Sequence, residues 1–247
     1  MTEQHWEQRV ELATAFRAAA LHGFHEGIDN HFSAVVEGAD ELFLLNRFGP
    51  HWSEMSPDDI LAINLDGQLV SGSGQWERTA FVIHRAVHRA RADARCVLHT
   101  HMPYATALAM TEDGLQTRSS QDAMLFHRRV ARLPFGGMAE ADEEGDRISA
   151  VVRDGISAVL LDNHGVLVIG SSVPDAWHKL YFLERACQMQ VLAQSTGSRM
   201  IFVPENVAEE TARQWRSMPG AADALFAAER RAVDRLDPGW ERRDGCL

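Results

Sequence analysis

Cysteine is scarce: the chain of 247 residues has three, too few and too scattered for a disulfide scaffold. Cys96, Cys187 and Cys246 form no Cys-x-x-Cys pair, which argues against a zinc ribbon and makes a reducing, cytoplasmic setting the expectation. Cys96 and Cys187 read as small core residues. No run approaches the roughly 20 apolar residues that a membrane span needs. The first 23 residues, broken by Glu3, Glu7 and Glu11, do not read as a secretory signal. A clustered Lys/Arg surface is missing too. The densest basic stretch, Arg85 to Arg95, has the spacing of one helix face, and a net charge of -11 argues against nucleic acid as a partner. Neither an internal repeat nor a Pro/Gly/Ser linker divides the chain. A single domain over 1–247 is therefore expected, with a helical C-terminal tail from about residue 205.

Against these absences stand a hydrophobic content of 45%, enough for a sizeable core, and 12 histidines, enough to prompt a search for spacing. Val10, Ala13, Phe16 and Ala20 recur at helical intervals within 5–24. Short strands are expected at Phe32–Val36, Glu41–Leu45 and Ile60–Leu65, separated by turns such as Asp66-Gly67. Trp76–Arg91 reads as a helix with Ala80, Ile83, Val87 and Ala90 in one stripe. Arg95–His101 reads as a strand, and Pro103–Met110 as a helix with proline in its first turn. Further on, a helix is expected at Asp142–Val152 and strands at Ala158–Leu161 and Val166–Ile169. A long helix follows over Pro174–Ala193, with Ala176, Leu180, Leu183, Cys187 and Leu192 facing the core. Strands mixed with helices and few clean βαβ units point to a layered α/β or α+β sheet domain.

The most informative stretch is Cys96-Val97-Leu98-His99-Thr100-His101. Side chains two apart on a strand share a face, so His99 and His101 converge. A third histidine, His164, lies in Leu161-Asp162-Asn163-His164-Gly165, a sharp turn between apolar strands where Gly165 permits close backbone approach. Three imidazoles suit one divalent metal ion, and zinc, manganese and iron all stay open, because neutral nitrogen ligands accept all three. The competing reading is a satisfied core histidine beside a surface pair, and spacing alone leaves the two evenly matched.

Several motifs carry a resemblance. Phe81-Val82-Ile83-His84 through Ala107, Leu161-Asp162-Asn163-His164-Gly165 through Gly170, Met55-Ser56-Pro57-Asp58-Asp59-Ile60 and Leu183-Glu184-Arg185-Ala186-Cys187 together resemble the class II aldolase/adducin family. The resemblance implies an α/β fold with a central mixed, mainly antiparallel sheet flanked by helices on both faces. It also implies a metal held by residues matching His99, His101 and His164, and a homotetramer with active sites between subunits. Family chemistry includes aldol cleavage, epimerisation, dehydration and decarboxylation, in which the metal stabilises enediolate-like charge.

Two departures from the family pattern are informative. Family aldolases carry a glutamate four residues before the histidine matching His84, and that position here is Ala80, which cannot move a proton. The adducin-like branch shares this loss. Glu77, three residues earlier, is a candidate substitute if the helix has begun by then; a solvated carboxylate at the helix start is the alternative. The phosphate cradle of the sugar-phosphate members is also altered, reading Asp29-Asn30, then Asn46-Arg47-Phe48-Gly49, then Arg78-Thr79. A substrate without phosphate follows, with Phe48 and Trp76 adding apolar character. Asn46 and Arg47 are candidate substrate contacts, the guanidinium either meeting a carboxylate or, equally, standing as an ordinary surface charge. Gln121 lies where the family lines its pocket, with a loop or helix cap as its alternative. Tyr104 is a candidate proton donor or an ordinary packed aromatic, and His84 a candidate hydrogen-bond support for the ligands. Glu140, Glu143 and Glu144 read as a solvated acidic helix start, and Trp240 either as a cap on a neighbouring subunit's site or as part of a loose tail.

The expected function is thus a metal-dependent carbon–carbon lyase, a decarboxylase or aldolase, acting on a small hydroxy or oxo acid. An iron- and oxygen-dependent enzyme and a non-catalytic adducin-like protein are the alternatives.

Overall fold

The computed structural model describes residues 5–138 and 142–242. Eight strands form one sheet: β1 (His31–Val36), β2 (Ala39–Asn46), β3 (Ile60–Asn64), β4 (Leu69–Ser71), β5 (Cys96–Thr100), β6 (Val130–Leu133), β7 (Ala158–Leu161) and β8 (Gly165–Gly170). Their spatial order is β4-β3-β2-β1-β5-β8-β7-β6. Every neighbouring pair is antiparallel except β6 with β7. The sheet is mixed and mainly antiparallel, as expected.

Alternation along the strands sorts side chains to two faces. Phe32, Ala34, Leu44, Cys96, Leu98, Leu160 and Val168 point to one face. There they meet α1 (Trp6–His22), α3 (Pro103–Ala109) and α6 (Val173–Ser195), with α8 (Ala221–Leu236) packed on α1 and α6. Val97, Val159, Leu167 and Ile169, with Phe43, Leu45 and Leu61, point to the other, which is covered by α2 (Arg78–Ala90) and α5 (Asp142–Val151). Two further helices complete the chain, α4 (Gln121–Met124) and α7 (Glu205–Arg216). Cys96 and Cys187 are buried free thiols, while Cys246 lies outside the described residues.

Some expectations need correction. The strands β4 and β6 escaped the sequence reading because one is three residues long and the other, Val-Ala-Arg-Leu, lacks clear alternation. The short helix α4 was missed as well, being only four residues. On α6 the buried face includes Ala176, Leu180, Leu183 and Cys187, but Leu192 is 49% exposed, since the helix runs past the sheet before it ends. Ala90 is exposed at the end of α2 for the same reason. Trp240 is buried, neither loose nor turned outward. Its ring lies between the Arg17 and Arg230 guanidiniums, and its Nε1–H donates to Asp234 at 2.9 Å.

Two devices hold the site end of the sheet. Arg132 on β6 donates to Asp162 in the β7–β8 connection and to the carbonyls of Thr111 and Glu112. Glu184 on α6, buried, accepts from the backbone N–H groups of Tyr104 and Ala105 at 2.9 and 2.8 Å. These are the otherwise unpartnered N–H groups of the first turn of α3, directly after His101.

Candidate metal centre

His99 is the fourth residue of β5 and His101 lies just past its end. Their shared face brings the ring centroids to 5.0 Å. His164 arrives from the three-residue connection between β7 and β8, which closes on the pair Leu161–Gly165. Asn163 takes the left-handed conformation (φ 56°) that tightens this turn. Gly165 cannot carry a side chain, because a Cβ there would lie 2.6 Å from both the His101 ring and the Thr100 carbonyl. The His164 ring is 4.9 Å from that of His99 and 4.8 Å from that of His101. One nitrogen from each of the three falls within 4.8 Å of the others.

The supports of these rings favour a metal. His99 Nδ1–H donates to the Val166 carbonyl at 3.0 Å, leaving Nε2 bare. His101 Nδ1 is held by the Glu26 carboxylate, the arrangement that orients metal-bound histidines and raises their basicity. His101 Nε2 is then buried with no partner among the described residues, a costly arrangement unless something is to bind it. Burial pushes the His99 imidazole well below its ordinary basicity, with His31, His164 and His101 adding to the effect. His164 is lowered to about 4, first by burial and then by His101. Neutral rings with bare nitrogens are what a divalent ion requires, so the donor set fits one.

The histidines open on a cavity of about 430 Å³ whose walls include Asp29, Asn30, Glu77, Ile83, Phe135 and Met138. Asn30 accepts the His101 N–H at 3.0 Å through its side-chain oxygen, and its buried Nδ2 has no partner among the described residues. Glu77 stands just before α2 with an extended backbone (ψ 139°), so the helix has not begun there, yet its side chain reaches the cavity. Burial, and then Asp29, raise its carboxyl above the ordinary glutamate range.

Other expected contacts lie elsewhere. Ala80 faces the sheet among Phe43, Leu45 and Leu61. Asn46 accepts the Phe32 N–H; Arg47 is paired with Asp59 at 2.5 Å. The half-buried Tyr104 packs on the core of the opposite face, and Gln121 opens α4 at the surface, its carbonyl taking the Trp215 N–H. None of these five lines the cavity. Glu143 is exposed and Glu144 pairs with Arg147, while Glu140 lies outside the described residues. His84 does sit beneath the ligands, one ring removed: it bonds His31, which stacks on His99 at 4.7 Å. Sequence reading missed Glu26, Asn30 as a cavity donor, and His31. His31 opens β1 and pairs directly with His99, a placement set by the register between β1 and β5.

Comparison with known proteins agrees with this geometry. Residues 10–191 match the family model Class II Aldolase and Adducin N-terminal domain. The chain belongs to the class II aldolase/adducin family. A Caulobacter vibrioides protein provisionally named aldolase class 2 is 32% identical over 97% of this chain and 94% of its own length. Rat alpha-adducin is 32% identical over 74% of this chain, a stretch that is 25% of that protein. Among solved structures, an aldolase II superfamily protein from Pseudomonas syringae superposes with a TM-score of 0.89 at 37% identity, covering 99% of this chain and 98% of that one. No helix among the described residues is long and apolar enough to cross a membrane.

Proposed function

We propose that this family member is a divalent-metal-dependent lyase that breaks a carbon–carbon bond in a small, non-phosphorylated hydroxy or oxo acid, by decarboxylation or aldol cleavage. The observation that carries the proposal is the convergence of three neutral imidazoles on a cavity that also holds a carboxyl of raised pKa, Glu77. His99, His101 and His164 would hold the ion, zinc by preference and manganese or iron(II) as alternatives. When bound, the ion supplies Lewis-acid polarisation and a sink for the electron pair of the breaking bond.

The chain's own groups supply the rest. Asn30 Nδ2 is a free donor for a substrate oxygen. Phe135 and Met138 form an apolar wall that excludes water and suits an aromatic or aliphatic substituent. Glu77, which keeps its proton more readily than an ordinary glutamate, delivers it to the carbon left after bond cleavage. Decarboxylation suits this set best, since it needs no base to remove a hydroxyl proton before the bond breaks. A cytoplasmic homotetramer belongs to the same proposal.

The test is turnover of β-oxo and ortho-hydroxyaryl acids by zinc-, manganese- and iron(II)-loaded protein, followed by carbon dioxide release. Aldehyde or ketone formation from hydroxy acids, without carbon dioxide, selects aldol cleavage. Oxygen uptake by the iron(II) form without either product would overturn the lyase reading.

A further inference from the structure

Four side chains beneath the cavity form a hydrogen-bonded row that the proposed chemistry does not use. His88 Nδ1 lies 2.7 Å from the Ala94 carbonyl and its Nε2 lies 2.7 Å from the Ser33 hydroxyl. Ser33 Oγ also bonds Nδ1 of His84. His84 Nε2 in turn lies 2.7 Å from Nδ1 of His31. A carbonyl only accepts, so Nδ1 of His88 carries the proton at that end. Burial lowers His88 to about 4, so at neutral pH its Nε2 is bare and takes the single proton of Ser33. Ser33 Oγ must then accept from His84 Nδ1–H, which leaves His84 Nε2 to accept from His31 Nδ1–H. Each link fixes the next.

The row ends on His31 Nε2. The hydrogen bond of the His31 side chain among the described residues is the one through Nδ1, and His31 is one of the cavity walls beside His99. We propose that His31 is a substrate-positioning residue whose Nε2 lone pair accepts a substrate hydroxyl, so that a hydroxyl is preferred to an oxo group at that one place, whatever carbonyl the chemistry uses elsewhere in the substrate. The selectivity rests on the small-acid reading above; the fixed tautomer does not. A ketone oxygen at the same place would set lone pair against lone pair, and a buried acceptor left unpaired discriminates strongly.

Two measurements test this. The first is a long-range proton–nitrogen correlation spectrum of metal-free protein labelled with nitrogen-15 histidine, with His31→Gln and His84→Gln used to assign signals. His31, His84 and His88 should all appear as Nδ1–H tautomers, and a His31 that carries its proton on Nε2 overturns the inference whatever the protein catalyses. The second is calorimetric titration of zinc-loaded protein with lactate and with pyruvate. Lactate should bind at least about 10-fold more tightly, and His31→Phe should abolish that preference. Equal affinity in the unaltered protein, or a preference that survives His31→Phe, overturns the positioning role. Binding of neither acid, with the tautomers as stated, overturns the small-acid reading and with it the selectivity.

Discussion

Acidification should unfold the metal-free protein far more steeply than an ordinary domain of its size, because its histidines are buried neutral. His31, His84 and His99 are pushed well below 6.5 by burial, and His88 and His164 to about 4. A base with a depressed folded pKa binds fewer protons in the native state than in the unfolded one. Its share of stability is therefore intact above 6.5 and lost as pH falls toward the folded value. Between pH 7 and pH 5 His88, lowered to about 4, costs about 2 kcal/mol by itself, because every pH step of one below 6.5 removes about 1.36 kcal/mol. His31, His84 and His99 act in the same direction, so the total exceeds that share and is a sizeable part of the roughly 5–15 kcal/mol that holds a domain together. Buried carboxyls with raised values, Glu77 and Glu184 among them, act with the opposite sign and soften the loss near the carboxylate range. Urea midpoints by tryptophan fluorescence at pH 7, 6 and 5, with chelator present, measure the slope. A total loss below about 2 kcal/mol, the share of a single histidine, would refute the neutral buried row.

Replacing a ligand, as in His101→Ala, should lower zinc affinity at least about 100-fold by competition with a chromophoric chelator. Glu26→Gln keeps all three ligands but loses the support of His101, so a 10- to 100-fold loss is expected in the same assay. Glu184→Ala leaves two N–H groups of α3 without their carboxylate and should cost about 3 kcal/mol in urea denaturation. Glu77→Gln should keep zinc stoichiometry while turnover falls about 10²- to 10⁴-fold, the range for a lost general acid. Unchanged turnover would remove Glu77 from the chemistry.

Local signals account for what the sequence made legible. The His99/His101 pair could be found because strand alternation is strictly two-residue, and His164 because a histidine between two apolar strands at an Asn-His-Gly turn needs a purpose. Long apolar stripes marked α1, α2 and α6 within a few residues. What stayed hidden depends on pairing across the sheet. The position of His31 beside His99 follows from the β1–β5 register, which no single stretch encodes. Glu26 meets His101 across 75 residues. Conversely, Asn46 and Arg47 were chosen from a family pattern, and the structure commits them to the Phe32 N–H and to Asp59.

The alanine at position 80 and the row of histidines are two aspects of one packing arrangement. Position 80 lies over β2 and β3, and an alanine there closes against Phe43, Leu45 and Leu61; a glutamate would bury a carboxylate in that apolar cluster, at a cost of several kcal/mol. One turn later, His84 takes the sheet-facing polar place and is satisfied by Ser33 and His31. The carboxyl that does reach the cavity comes instead from Glu77, before the helix, where burial and Asp29 favour the protonated form. On the lyase reading, the site has exchanged a group suited to removing protons for one suited to returning them. A reaction whose first step sheds carbon dioxide and whose second needs a proton asks for that exchange.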